Sequence, residues 1–235
     1  MSAERGTRNA EQVLVCFAMK EEAGAFRKIA AGRTNVSILV TGIGRRNTEK
    51  AVRERLAGTL APPELVFTCG FAGGLDPALK SGDVVFECGT RNAERGTKSE
   101  PSDIGCYNIE TRLVAAGAKQ VKFFCADRIA TTVAEKKKLR EQTGADAVEM
   151  ESAVVHEICR QHNIPCVTVR VISDTANEDL PLDFNQLAKA DQSLDFGKLA
   201  WAIAKSPGKI PALMALGKKT NVASKRLAAV LERLI

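Results

Sequence analysis

Leu65-Val66-Phe67-Thr68-Cys69-Gly70-Phe71-Ala72-Gly73-Gly74 decides how the chain is read. Residues 65–69 form an apolar, β-prone run behind Ala61-Pro62-Pro63, where the prolines forbid a preceding helix from continuing. Glycines follow at once. A buried strand that delivers a glycine-rich turn at its C-terminal end is the working unit of an open α/β sheet, in which such ends build the binding crevice.

Working outward, similar short apolar runs recur and predict strands at Gln12–Ala18, Val36–Val40, Leu65–Cys69, Asp83–Cys88, Val121–Cys125, Ala147–Glu149 and Cys166–Ile172. Stretches of helical period lie between them. They predict helices at Glu21–Ala30, Thr48–Leu60, Val133–Gln142, Ser152–His162 and Phe184–Ala204, with a C-terminal pair after Lys205. Strands alternating with helices specify an α/β class, a mixed sheet covered by helices on both faces. Asn47 and Thr48 are expected to cap the helix after the Gly42-Ile43-Gly44 turn. Residues 89–112 lack periodicity and read as a long loop. The polar, charged residues 1–10 read as a disordered tail without the apolar core of a signal peptide. The remainder divides into a main α/β domain over 11–204 and basic amphipathic helices over 205–235.

The chain has 235 residues with 45% hydrophobic and 26% charged, an ordinary globular composition of one domain or two small ones. No apolar run is long enough to cross a bilayer. Residues 205–235 hold seven Lys and Arg against a single acid, so the net charge of +6 belongs to that tail and the rest is neutral. A neutral body with nine Phe, one Tyr and one Trp offers neither the positive stripe nor the stacking platforms of a nucleic-acid protein. Seven scattered cysteines without a C-x-x-C pair indicate reduced thiols and a cytoplasmic setting, not disulfides or structural zinc.

Polar or glycine residues stand at four predicted strand ends: Met19-Lys20-Glu21-Glu22, Gly70 to Gly74, Val148-Glu149-Met150-Glu151 and Ile172-Ser173-Asp174-Thr175-Ala176-Asn177. Singly, each has a plainer reading. Glu21 and Glu22 suit a solvated first helical turn, Glu149 and Glu151 suit a strand edge, and Asp174 suits a helix cap. Together, Glu22, Glu151 and Asp174 place three acids at the ends of strands in one sheet. His156 and His162 share one helix without a ligand partner, which speaks against zinc and against a histidine-activated nucleophile. Carboxylates in this setting suit proton transfer around a cationic transition state.

Phe17 to Glu22, Thr41 to Gly44, Cys69 to Leu75, Ser81 to Val85, Val148 to Glu151 and Ile172 to Ala176 together resemble, in order, the signatures of the nucleoside phosphorylase/nucleosidase superfamily, above all its methylthioadenosine/S-adenosylhomocysteine nucleosidases. The resemblance implies a three-layer αβα sandwich around a twisted mixed sheet, cleavage of a purine N-glycosidic bond, no cofactor and a homodimer. It implies Glu22 as the group that activates water and Asp174 as the acid that protonates N7 of the base. Met150, Glu151 and Glu149, with Phe71, Ala72 and Gly73, are implied around the sugar, and Ile129 of Asp127-Arg128-Ile129-Ala130 at the base. No metal is implied.

Phe71 stands where the nucleosidases have serine, Lys20 replaces the first acid of a Met-Glu-Glu-Glu run, and Ile129-Ala130 offers a less aromatic base contact. The ending from Phe184 is similar to that of hopanoid-associated phosphorylases of the same superfamily, which implies a lipid-linked adenosine as a further substrate and contact of 205–235 with a membrane surface. A phosphorylase would need an anion site, for which Gly44, Arg45 and Thr68 are the candidates. A catalytically silent nucleoside-binding or lipid-surface protein is the third reading.

Overall fold

The computed structural model describes residues 12–58, 62–88, 101–187 and 196–235. The predicted tail over 1–10 and the loop residues 89–100 lie outside the described residues. In chain order the elements are β1 (Val13–Phe17), α1 (Lys20–Ala30), β2 (Val36–Val40), α2 (Arg45–Ala57), β3 (Leu65–Gly74), β4 (Val84–Cys88), α3 (Pro101–Ala115), β5 (Lys119–Gln120), β6 (Phe123–Cys125), α4 (Val133–Thr143), β7 (Ala147–Glu149), α5 (Ser152–Gln161), β8 (Cys166–Asp174), α6 (Phe196–Lys205) and α7 (Ile210–Glu232). The sheet has eight strands in the order β2-β1-β3-β8-β4-β5, with β7 on β3 and β6 on β7. It is mixed: β1, β2, β3 and β8 run parallel, and β4 runs against β8.

Period-two alternation along β1 splits the core into two layers. Val13, Val15 and Phe17 face one cluster with Phe26 of α1, Val167, Val169 and Val171 of β8, and Leu227 and Leu231 of α7. Leu14 and Cys16 face the other, with Val52 of α2 and Val155 and Ile158 of α5. Helices therefore cover both faces of the sheet. The C-terminal half of α7 packs into this core through Ala223, Leu227, Ala228 and Leu231, all of them buried. Among the described residues no helix is long and apolar enough to cross a membrane.

Several predicted boundaries move. The glycines at 70–74 are not a turn but the second half of β3, which pairs with β8 from Val66↔Cys166 to Gly73↔Asp174 across an irregularity at Ala72/Gly73. Residues 101–112 of the expected loop belong to α3, whose apolar periodicity is weak but whose Pro101 at the first helical position and Asp103 in the first turn are start signals. Of the helix predicted over Phe184–Ala204, 184–187 is a turn in which Asp183 accepts from the Asn185 N–H, 188–195 lie outside the described residues, and Phe196–Lys205 is helix. α2 begins at Arg45 behind Gly44, so Asn47 and Thr48 lie within the helix instead of capping it. The expected C-terminal pair is one helix, α7, running through Gly217. A mid-helix glycine costs only about 1 kcal/mol relative to alanine, less than the buried half of α7 returns.

The strand lengths position the crevice. β1 stops at Phe17, opposite Cys69, while β3 runs five residues further to Gly74. β7 then joins that edge antiparallel at Gly73 and Gly74. Between the end of β1 and the start of β7 an edge of β3 is left open, and α1 enters there.

Candidate active site

Glu22 is the third residue of α1, and its carboxylate bridges two elements. Oε2 accepts the Met19 N–H at 2.9 Å, and Oε1 accepts the Phe71 N–H at 2.9 Å from the open edge of β3. A glutamate in a first helical turn is normally solvated; this one is 3% exposed. Burial pushes its carboxyl up to about 7, against the Arg170 guanidinium and the two N–H donors that favour the charged form, with Glu151 adding to the rise.

The glycines explain how the groups come so close. A Cβ on Gly70, whose φ is +151°, would fall 2.6 Å from Arg170 Nη1 and 2.7 Å from Glu22 Oε1. Glycine is needed at 70 for this approach and for its backbone conformation.

Arg170, on the same face of β8 as Thr168, is 1% exposed and organises the acids. Its Nη2 donates to Glu149 Oε2 at 2.6 Å, to Glu151 Oε2 at 3.3 Å and to Thr68 Oγ1 at 3.2 Å, and Nη1 donates to the Cys69 carbonyl at 3.3 Å. Glu149 also accepts the backbone N–H groups of Glu151 and Ser152 and, at 2.5 Å, the Ser152 hydroxyl. Burial disfavours its charge, yet Arg170 and these donors outweigh that and hold the Glu149 carboxyl below the usual range. Glu151 has the opposite balance. Burial raises it, Arg170 lowers it, and the Glu149 charge raises it again, for a net upward shift.

Asp174 ends β8 and is 5% exposed. Oδ1 accepts the Ser173 hydroxyl at 2.6 Å, and Oδ2 lies 2.5 Å from Nζ of Lys136 on α4. Its closest charged neighbour is therefore a buried cation.

Glu22, Phe71, Ala72, Gly73, Ile129, Glu149, Met150, Glu151 and Asp174 all line one cavity of about 530 Å³. Three candidates for an anion site stand elsewhere. The Gly44 N–H donates to Glu151 Oε1 at 2.9 Å, Thr68 Oγ1 is held by Arg170, and Arg45 is exposed at the start of α2. Neither histidine lines the cavity, and His156 Nε2 pairs with Thr168 Oγ1 at 2.8 Å. Ile129 gives its N–H to Asn185 Oδ1 and accepts from Asn185 Nδ2 at its carbonyl, both at 2.9 Å.

Sequence reasoning missed Arg170, Lys136, Ser173, Asn185 and, on α7, the lining residues Leu216 and Thr220. Arg170 had a signal: a lone charge inside the apolar run from Cys166 to Ile172. Lys136 had none, since it opens the run Lys136-Lys137-Lys138, whose other two members are exposed.

A mixed sheet sandwiched by helices, with acids at its strand ends around a nucleoside-sized cavity, is the architecture of a glycosidic-bond enzyme of the phosphorylase type. Residues 13–235 match the family model of the phosphorylase superfamily, and the chain belongs to that superfamily. It is 26% identical over 177 residues to a 5′-methylthioadenosine/S-adenosylhomocysteine nucleosidase of Shewanella halifaxensis, covering 67% of this chain and 77% of that protein. In fold it is similar to the futalosine hydrolase of Helicobacter pylori, with TM-score 0.65, 16% identity and coverage of 96% of this chain and 97% of that one. It is also similar to the Neisseria meningitidis 5′-methylthioadenosine/S-adenosylhomocysteine nucleosidase in complex with methylthio-immucillin-A, with TM-score 0.64, 21% identity and coverage of 95% and 98%.

Proposed function

We propose that the protein hydrolyses the N-glycosidic bond of a purine nucleoside, an adenine nucleoside foremost, with Glu22 activating the water and Asp174 protonating the base. The observation that carries this reading is one cavity lined by both: a carboxylate poised near neutrality by burial, as a general base should be, and a buried aspartate. As the C1′–N9 bond lengthens the sugar becomes oxocarbenium-like and the base gains electron density. Anions at the sugar and an acid at N7 then stabilise the transition state more than the ground state. Glu151 suits the ribose hydroxyls and Met150 the sugar face. Both Glu149 oxygens are engaged by Arg170, Ser152 and the Glu151 N–H, so its part is to hold Arg170 and Glu151 in place.

Water is favoured over phosphate as the nucleophile. Gly44 and Thr68 already serve Glu151 and Arg170, and a carboxylate at Glu22 repels an anion. The 5′ substituent is the apolar end of the substrate: Leu216 on α7 lines the cavity, and Met214 beside it is 61% exposed. That arrangement suits an alkylthio group and, as a second reading, a lipid-linked adenosine approached along 205–235 from a membrane surface. A homodimer and a cytoplasmic setting complete the reading.

The test is release of adenine from methylthioadenosine, adenosylhomocysteine and adenosine, with and without phosphate. Free ribose sugar without phosphate is the expected product. Phosphate-dependent formation of a sugar 1-phosphate overturns hydrolysis, and no base release from any purine nucleoside favours a silent binder. Liposome flotation of the full chain against Leu216→Glu tests the membrane reading, which equal partitioning removes.

A further inference from the structure

α4 runs over the surface, and Lys137 and Lys138 are exposed. Lys136 beside them is 0% exposed. Its Nζ lies 2.5 Å from Asp174 Oδ2, 2.8 Å from the Thr175 carbonyl and 2.7 Å from the Glu178 carbonyl. The two carbonyls accept hydrogen bonds from the ammonium, and Asp174 Oδ2, which has no hydrogen-bond partner among the described residues, is held against it as an ion pair. Burying an ammonium without partners is strongly disfavoured, and the carboxylate and the two carbonyls are the partners that offset this burial. A lysine needed only for its methylene stem would carry its head to solvent along the exposed helix. This one turns inward to a single side chain, and that side chain is the acid.

We propose that Lys136 is the positioning residue of Asp174: it fixes Oδ2, leaves Oδ1 beside Ser173 to carry the proton, and faces the negative charge that Asp174 acquires on giving that proton up. The proposal rests on the nucleosidase reading of the same cavity. In the step, the C1′–N9 electron pair passes to the base, the O–H bond of Asp174 breaks and an N7–H bond forms. Water bonds to C1′ and loses a proton to Glu22. The new Asp174 carboxylate is then ion-paired with an ammonium already at 2.5 Å, so no reorganisation is needed when the charge appears. The Glu22 proton returns to Asp174 through solvent, and the balance is nucleoside plus water giving free sugar and neutral base.

The other charged groups in reach are accounted for. Glu178 turns its carboxylate away to Lys219 of α7 at 2.5 Å, and the cavity is lined by Glu22, Asp127, Arg128, Glu149 and Glu151 beside Asp174. Among the described residues Lys136 is the cation that touches Asp174, while Arg128 pairs with Glu135 and Arg170 with Glu149 and Glu151.

The experiment measures kcat and KM for adenine release from methylthioadenosine across pH for the wild type, Lys136→Met and Lys136→Arg, with circular dichroism as the fold check. Lys136→Met is expected to lose about 10²-fold in kcat with KM within about 3-fold, the size of effect associated with weakened general acid catalysis. Lys136→Arg, which keeps a cation, is expected to recover at least about 10-fold of the loss in kcat with KM unchanged. A folded Lys136→Met with wild-type kcat, or with a lower kcat and no recovery in Lys136→Arg, overturns the proposal. Should the Met variant not fold, Lys136→Gln, which keeps a donor for the two carbonyls and removes only the charge, carries the same comparison. A wild type that releases no base overturns the nucleosidase reading itself; an active wild type with an indifferent Lys136 overturns only this role.

Discussion

Arg170 Nη2 lies 2.6 Å from Glu149 Oε2, a pair in which the arginine side chain is 1% exposed and the glutamate 0%. The same nitrogen reaches Glu151 Oε2 at 3.3 Å, so one cation serves two buried carboxylates. Its removal strands both. Arg170→Met is therefore expected to lose on the order of 3–5 kcal/mol of stability, the usual cost of breaking a buried pair from one side. Urea unfolding followed by circular dichroism reads it. Arg170→Lys is expected to recover only part, since a single ammonium cannot also span Thr68 and the Cys69 carbonyl. A Met variant as stable as the wild type would mean that the acids are solvated in the folded protein.

Gly70 brings the strand against Arg170 and Glu22 together. Gly70→Ala places a Cβ 2.6 Å from one and 2.7 Å from the other, at a φ of +151° that side chains rarely adopt. We expect about 2 kcal/mol or more of destabilisation from strain and displaced partners. Activity is expected to fall further than stability explains, because the displaced atoms include the base. Gly24→Ala, on α1 with nothing within 4 Å of the added carbon, is the matched control and should be neutral or slightly stabilising.

Glu22 links activity to stability with opposite signs. Its folded value near 7 lies above its ordinary 4.5, so between those pH values the folded state keeps a proton that the unfolded chain has lost. The unfolded state binds fewer protons there, and stability must fall as pH rises, by on the order of 3 kcal/mol once pH exceeds 7. Below about 4.5 both states are protonated and the effect vanishes. Thermal melts from pH 4.5 to 8 should show this slope in the wild type and lose it in Glu22→Gln, whatever the offset between the two proteins. As the base must be ionised to act, kcat/KM should rise through pH 7 in the same window. A wild-type profile flat from pH 5 to 8 in both measurements removes Glu22 from the role of base.

The fold was legible because burial writes itself into sequence as apolar runs. β2 and β7 fall where the runs at Val36–Val40 and Ala147–Glu149 end, and the superfamily follows from six short strings in order. What escaped was set by contacts distant in sequence. Gly70 to Gly74 reads as a turn by composition, but β8 alongside extends it as strand, and the need for glycine comes from Arg170 and Glu22 rather than from a change of direction. Lys136 and Lys137 are identical as letters; only the path of the chain after β8, which brings Thr175 and Glu178 beneath α4, separates them. The acids themselves were found because each stands at or a few residues past the end of a strand, whereas the cations that govern them have no such positional mark.

Asp174→Asn keeps the size of the side chain and its place beside Ser173 but cannot deliver a proton. Base release is expected to fall by roughly 10²–10⁴-fold, the range of general acid catalysis, with binding of free adenine retained. The amide also faces Lys136, so its oxygen is expected to take the Oδ2 position and leave the fold intact. Single-turnover rates with adenine titration separate the two effects. Loss of adenine binding together with turnover would mean that Asp174 holds the base instead of protonating it.

Leu216 and Thr220 stand one turn apart on α7 and line the same cavity as Glu22 and Asp174, although they follow β8 by more than forty residues. The C-terminal half of α7 is anchored in the core by Leu227 and Leu231, so its N-terminal half is carried as a rigid wall and not as a loose tail. If that wall meets the 5′ substituent, shaving Leu216 to alanine removes apolar contact only from substrates long enough to reach it. At about 0.8 kcal/mol per methylene withdrawn from contact, KM for a butylthio-substituted adenosine should rise by roughly 5-fold or more, while kcat holds and adenosine is little affected. Thr220→Val, which swaps a hydroxyl for a methyl of similar volume, should move KM the other way for the same long substrate. Equal changes for adenosine and the butylthio analogue would place the wall against the sugar or base, and leave the 5′ end to be bounded by residues other than α7.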